Sequence, residues 1–339
     1  MTPNSNPEVS VIIPAYNTSK YIAKAIESAL GQTLKNIEVI VVDDASTDNT
    51  LEVIERFKDE RLKVIVNQEN LGAGGSRNRA ITEAKGNWIA VLDSDDWYAP
   101  ERLERLVQVA YQKDADIIAD DLYLIKDGEE HPWSTLIKES GESLSTIKQI
   151  EPLYFVETDV YGKQGLHLGI SKPLFKRDFL MQQNLQYNSD IKVAEDFWLA
   201  LTCLVRKARF FLVPEPYYFY MARSGSLVYT NKITILTQNC EATVEFIEKE
   251  QILSKLPRLA DSLLANYRVM QNCLYYYKIV EQLKDRKWLT ALKEMLCNPE
   301  FFLDLCLQLP GIINRRIQFY LFGNKAAYDI FSRKIKQIL

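Results

Sequence analysis

Trp88-Ile89-Ala90-Val91-Leu92 is a run of five apolar residues with no polar alternation. Such a run reads as a strand buried on both faces, which places it in a sheet covered by helices on either side. It leads directly into Asp93, Ser94, Asp95 and Asp96. Core strands ordinarily end on Gly, Asn or Pro, whereas three carboxylates within four residues repel one another unless a cation or solvent stabilises them. Hard oxygen ligands with no Cys or His nearby suit Mg²⁺ or Mn²⁺, and Mg²⁺ typically keeps waters and bridges to substrate phosphates. The alternative is a solvated acidic turn before the helix at Pro100.

Three other short apolar runs precede this one. Val9 to Ile13 reads as a first strand stopped by Pro14, followed by a helix capped at Ser19 with Ile22, Ala25, Ile26, Ala29 and Leu30 on one face and Gly31 at its end. Ile37 to Val42 is the second strand, ending on Asp43-Asp44-Ala45-Ser46; a helix capped by Thr47 or Asp48 follows. Leu62 to Val66 is the third strand, Gly75 to Lys85 a helix, and Trp88 to Leu92 the fourth strand. This alternation predicts a doubly wound α/β unit with right-handed crossovers, whose ligands bind beyond the carboxyl ends of the strands. Every unusual polar cluster so far falls there. Pro100 opens a further helix, Asp116 to Ile125 a strand, and 131–166 is weakly patterned, read as loops with a helix or two. Ala194-Glu195-Asp196 opens a helix and Arg209 to Val213 a strand. Beyond Lys232 the pattern is helical, broken near Pro257, Pro299 and Pro310.

Three clusters carry chemistry. Asn70-Leu71-Gly72-Ala73-Gly74-Gly75-Ser76-Arg77 precedes a helix, where clustered glycines let backbone N–H groups approach phosphate oxygens and Arg77 adds a charge-assisted contact to a diphosphate. A dinucleotide fingerprint would sit after the first strand, not the third. Tyr16 and Asn17 after the first strand, with Asp44 after the second, suit a base pocket in which a ring stacks on a pyrimidine and a carboxylate accepts its N3–H, favouring uracil. Asp196 sits near a helix start, far in sequence from the acidic cluster, with Glu195 as the adjacent alternative.

The ordered set SVIIPAYN, VIVVDDAS, NLGAGGSRNRA, WIAVLDSDD, AEDFWLAL and YMARSGS resembles the inverting glycosyltransferases of family 2, which have the GT-A fold. The resemblance spans about 9–226. It implies a GT-A type doubly wound mixed sheet with a Rossmann-like nucleotide half, a nucleotide-sugar donor, usually UDP-linked, and a divalent metal (Mn²⁺ or Mg²⁺) on the diphosphate. Carried over residue by residue, Pro14, Ala15, Tyr16, Asn17 and Asp44 lie toward the base, Asn70, Gly72 and Arg77 toward the phosphates. Asp93, Ser94, Asp95 and Asp96 form the acidic motif, split between ribose and metal, with Asp95 and Asp96 as metal ligands. Asp196 takes the general-base position, and Arg223 and Ser226 the segment closing over donor or acceptor. In an inverting displacement one carboxylate takes the acceptor hydroxyl proton while charge on the departing diphosphate is stabilised.

The expected domains are a catalytic domain over 1–230, with a nucleotide-sugar half at 8–125 and an acceptor half at 126–230, and a helical C-terminal region over 231–339. A formal net charge of -4 argues against a general nucleic-acid binder. Five widely spaced cysteines without a C-x-x-C pair read as core thiols of a reducing compartment. With no apolar leader and no spanning run of about eighteen residues, a cytoplasmic location is expected. From Gly311 to Leu339, Arg315, Arg316, Lys325, Arg333, Lys334 and Lys336 stand against the single acid Asp329. Such a basic amphipathic segment suits either peripheral contact with an anionic membrane or a helical cap with a solvated face. The resemblance implies a glycan or a lipid-linked acceptor. A sugar-nucleotide-forming nucleotidyltransferase and an inactive nucleotide-sugar-binding protein are the rival readings.

Overall fold

The computed structural model describes residues 6–223 and 231–297. The chain divides into two compact units, Met1–Asp159 with Gly165–Leu227, and Val160–Gln164 with Val228–Leu339. Ser226 and the basic segment at 311–339 lie outside the described residues.

The first unit is built on a ten-stranded mixed sheet: β1 (Val9–Ala15), β2 (Ile37–Asp43), β3 (Leu62–Val66), β4 (Trp88–Val91), β5 (Trp97–Tyr98), β6 (Ile117–Lys126), β7 (Ser134–Thr135), β8 (Lys148–Ile150), β9 (Leu174–Lys176) and β10 (Phe210–Ala222). The main order is β3-β2-β1-β4-β9-β6-β10-β5, with β7 beside β6 and β8 beside β10. The first four strands in that order are parallel, and β9 enters antiparallel between β4 and β6. Strand order therefore reverses at β1, between β2 and β4, the kind of crevice where α/β sheets bind ligands. Every residue of β4 is buried, as the unbroken apolar run required.

Helices α1 (Ile22–Leu30), α2 (Thr50–Glu55), α3 (Gly72–Glu83), α4 (Arg102–Lys113), α5 (Leu136–Ser140), α6 (Pro152–Glu157), α7 (Arg177–Gln182) and α8 (Glu195–Val205) complete this unit. On α1, Ile22, Ala25, Ile26 and Ala29 are buried, following the 3.6-residue period. Several boundaries differ from expectation, three of them for a reason that the hydrogen bonds or strand register show. β1 continues through Pro14 because its pairing with β4 ends at Ile12 and Val91; the last residues pair only with β2, a setting that tolerates proline. Ser19 does not cap α1: its N–H donates to Asp48 Oδ2 at 3.2 Å, and the helix starts three residues later. The long β10 absorbs Pro214 and Pro216 at register shifts against β6 instead of ending at Val213.

The described part of the second unit is helical: α9 (Lys232–Lys249), α10 (Ile252–Lys255), α11 (Pro257–Lys284) and α12 (Trp288–Cys297). Pro257 occupies the first turn of α11, where its missing N–H costs nothing. Leu236, Phe246, Leu259 and Leu263 are buried, and α11 packs on α9 and α12. Cys203 and Cys240 are buried free thiols, and Cys273 is half-buried. No described helix is long and apolar enough to cross a membrane.

Candidate active site

The carboxyl ends of β1 and β2 are tied together by their loops. Asn17, held at φ 52°, accepts the Thr47 N–H at 2.8 Å and the Asp48 N–H at 3.3 Å through Oδ1, and its own N–H donates to Ser46 Oγ at 3.1 Å. Ala15 is buried and its carbonyl accepts the Asp44 N–H, while the Tyr16 ring next to it is 46% exposed and free to stack. Pro14 is half-buried.

Asp44 is buried and has a structural task as well. Its Oδ1 accepts from Asn67 Nδ2 at 2.6 Å and from the Leu71 N–H at 2.9 Å, and Oδ2 accepts the Gly72 N–H at 2.8 Å. This carboxylate satisfies N–H groups at the start of α3, which is why the helix begins at Gly72 and not at Gly75. The glycines have packing roles. Gly72 takes φ 76°; a Cβ on Gly74 would stand 3.3 Å from the Asn188 carbonyl, and one on Gly75 would meet Leu71 at 2.8 Å. Asn70 is exposed and its Oδ1 accepts the Gly72 N–H at 3.2 Å. The expected phosphate cradle is thus, in this geometry, a cap and a close helix–loop contact.

Arg77 departs furthest from its expected place. It is 2% exposed, and its guanidinium faces carboxylates: Nη1 donates to Glu195 Oε1 at 2.6 Å and Asp196 Oδ1 at 3.0 Å, Nη2 to Asp93 Oδ1 at 2.6 Å. The Tyr187 ring lies 5.2 Å from it. Three of its five N–H donors are spent on these carboxylates, and the buried Nε has no partner. A second cation completes the cluster. The Lys172 ammonium meets Asp93 Oδ2 at 3.0 Å and Asp196 Oδ2 at 2.5 Å. Three carboxylates around two cations leave one negative charge in excess. Burial opposes ionisation of Asp93, but Lys172 and Arg77 hold its carboxyl well below the usual range. Burial pushes Glu195 up despite Arg77. Burial disfavours the charged forms of Arg77 and Lys172, yet Asp196 and Asp93 keep both firmly protonated.

The acidic motif divides by environment. Asp96 is buried; its Oδ1 accepts the Met221 N–H and its Oδ2 the Tyr218 hydroxyl, each at 2.7 Å. Burial and the neighbouring Asp95 and Asp93 push its carboxyl well up. Asp95 keeps a side chain one-fifth exposed and accepts from Arg223 Nε; burial and Asp93 raise its pKa against that pairing. Arg223 also lies 5.4 Å over the Tyr21 ring. Ser94 is buried between these acids. Each Asp96 oxygen already accepts one hydrogen bond from β10, which leaves Asp95 the freer of the two carboxylates. Asp95 fits a hard cation that takes one protein carboxylate and completes its shell from phosphate and water. Among the described residues no three His, Cys, Asp or Glu groups form a ligand set by themselves.

Lys172, Tyr218 and Tyr187 had no signal in the sequence. Lys172 stands alone in Ser171-Lys172-Pro173, and Tyr218 is one of several aromatics in an amphipathic run.

A model of glycosyl transferase family 2 matches residues 10–180. The succinoglycan biosynthesis protein ExoO of Rhizobium meliloti is 32% identical over 310 residues, covering 91% of this chain and 87% of the relative. The Escherichia coli UDP-Glc:alpha-D-GlcNAc-diphosphoundecaprenol beta-1,3-glucosyltransferase WfaP is 42% identical over 119 residues, 35% of this chain and 47% of WfaP. Among solved structures, S. aureus TarS 1-349 in complex with UDP-GlcNAc superposes with a TM-score of 0.63 at 22% identity, covering 84% of this chain and 79% of the other. That likeness is one of fold, and the fold is the GT-A type.

Proposed function

This chain belongs to glycosyl transferase family 2, and on that premise we propose that it moves a sugar from a UDP-sugar to a hydroxyl of a lipid-linked or free glycan, with inversion, in a single displacement. The observation that carries this reading is the convergence of Asp93, Glu195 and Asp196 on one guanidinium, joining the strand end of the donor motif to the start of α8. A proton acceptor fixed beside the donor's acidic motif is what an in-line attack on an anomeric carbon requires.

In this mechanism the exposed Tyr16 ring stacks on the base, and Asp44 Oδ2, which accepts a single N–H in the structure, has a lone pair left for a pyrimidine N3–H. Asp93 faces the ribose. Asp196 takes the acceptor proton, with Glu195 as the neighbouring carboxylate that shares its guanidinium. Arg77 acts as a positioning residue, not a phosphate ligand. A divalent cation, when bound, would be held by Asp95 and would supply charge stabilisation to the departing diphosphate. Relatives named for succinoglycan biosynthesis and for glucosyl transfer to a diphosphoundecaprenol-linked sugar support a polysaccharide or lipid-linked acceptor. The UDP-GlcNAc complex of a protein with the same fold supports a UDP-linked donor. The nucleotidyltransferase alternative has no such support. Contact of the C-terminal segment with a membrane surface remains part of the proposal, tested by liposome flotation of the full chain.

The deciding experiment is a panel of UDP-sugars with Mn²⁺, read by thermal shift and by UDP release with and without GlcNAc-diphosphoundecaprenol. A donor at a hundred times its Kd should stabilise the chain by about 2.7 kcal/mol, and acceptor-dependent UDP release should follow for the same sugar. EDTA should abolish that release and added Mn²⁺ restore it. No thermal shift and no turnover with any UDP-sugar would defeat the proposal.

A further inference from the structure

Lys172 lies outside every motif that identifies the site, yet it is the only lysine among the described residues with a fully enclosed ammonium shared by two site carboxylates. Its placement is fixed at both ends. The backbone carbonyl accepts from Arg102 Nη2 at 2.5 Å, and Arg102 is itself locked onto Asp120 within the core. The ammonium bridges Asp93 Oδ2, just past β4, and Asp196 Oδ2, in the first turn of α8. A lysine stem is flexible and carries three donors; pinning its root and its tip makes it a strut between two elements 24 residues of sequence or more from its own position.

We infer that Lys172 is a positioning residue for the transfer reaction: shared between Asp93 and Asp196, it aims the Asp196 carboxylate and balances the charge of the carboxylates gathered there. This rests on Asp196 being the proton acceptor. The groups facing Asp196 are Arg77 from α3, Glu195 from its own helix, Asp93 from the β4 loop, and Tyr187 from the loop before α8. Without Lys172, three carboxylates would compete for the single Arg77 guanidinium. Proton uptake by the carboxylate cluster would then relieve the repulsion, and a cluster that has already taken up that proton is a poorer acceptor for the hydroxyl proton.

The test compares Lys172→Met, Lys172→Gln and Lys172→Arg in the full chain, with melting temperature as the fold control. In Lys172→Met and Lys172→Gln the acid limb of kcat should move up by about one pH unit or more, so that kcat measured on that limb falls roughly tenfold against wild type beyond any loss at pH 8. The donor KM should change less than kcat. Lys172→Arg keeps the charge and should hold the limb near its wild-type position even if kcat falls. Glutamine retains a donor and the side chain's bulk, so it carries the test if methionine does not fold. A uniform drop in kcat at all pH values with the limb unmoved in both neutral variants would mean a purely structural lysine and would overturn the inference. Carboxyl ¹³C titration of Asp196 with and without Lys172 gives the same answer without turnover: an unchanged midpoint overturns the inference even where transfer proceeds. Wild-type protein that transfers from no UDP-sugar would instead overturn the function, a different result from an unmoved limb.

Discussion

Arg102 and Arg77 are both buried guanidinium groups, but they are matched differently. Arg102 meets one carboxylate, Asp120, with three hydrogen bonds between 2.7 and 3.1 Å, donates to the Lys172 carbonyl, and lies 4.3 Å and 5.0 Å from the Tyr98 and Tyr218 rings. Asp120 in turn accepts the Tyr217 N–H at 3.1 Å. The charges cancel, and Nε and Nη2 are spent while the buried Nη1 has no partner. Around Arg77 and Lys172 three carboxylates gather, and Asp93 retains a side chain 24% exposed. Closed, neutral pairs in low dielectric hold elements together, whereas a cluster with more carboxylates than cations keeps a negative charge that chemistry can use. The first cluster also supports the second through the Lys172 carbonyl, so the contrast is between a foundation and the group it positions.

The largest effect should come from breaking the neutral pair. Arg102→Met leaves Asp120 buried without a cation, which should cost about 3–5 kcal/mol by denaturant unfolding; adding Asp120→Leu should recover much of that loss. A single variant within about 1 kcal/mol of wild type would show that burial and balance do not make Arg102 structural. The next effect should fall on turnover. Asp196→Asn removes the excess negative charge, so stability should hold or rise, while kcat drops on the order of a hundredfold or more with donor binding nearly intact. Retained transfer by that variant would shift the role to Glu195, whose carboxyl burial already pushes up and whose Oε2 has no partner in the cluster.

How much of this was readable beforehand follows from the range of each interaction. The four βα repeats were legible because helix and strand periods are local, and the buried β4 declared itself by five successive apolar side chains. The positions of the acidic motif, Tyr16 and Asp196 at strand or helix ends were legible because they interrupt those periods. Their partners were not. Arg77 lies 118 and 119 residues from Glu195 and Asp196, and a lysine between Ser171 and Pro173 carries no periodic signal at all. The glycine-rich stretch misled for a related reason: glycines permit a phosphate to approach, but equally permit the 187–189 backbone to pack on α3, and only the fold decides which neighbour arrives.

Tyr218 joins the two clusters and should give a smaller effect. Its hydroxyl donates to Asp96 and accepts the Asp93 N–H at 3.2 Å, while its ring stacks on Arg102. Tyr218→Phe keeps the ring and strips the hydroxyl, which should cost about 1–2 kcal/mol of stability and lower transfer modestly by loosening the loop that carries Asp93 and Asp95. Unchanged stability with strongly reduced transfer would move Tyr218 from the foundation to the chemistry.

The smallest effect should come from an ion pair outside both clusters. Asp59 accepts from the Arg61 side chain at 2.7 and 3.0 Å and from its N–H at 2.9 Å, and those hydrogen bonds lower its pKa to about 2 from the usual 3.8. The folded-state value is the depressed one, so the pair's contribution is complete above the unfolded value near 4 and disappears as pH falls toward 2. Solvent screens this partly exposed pair, so Asp59→Asn should cost at most about 1 kcal/mol. Measured against wild type across acid pH, the difference should be flat above about pH 5 and close between about pH 4 and 2. If Asp59→Asn cost as much as Arg102→Met, exposure would not separate a decorative pair from a structural one. The distinction drawn between the Arg102 and Arg77 clusters would then have to rest on charge balance alone.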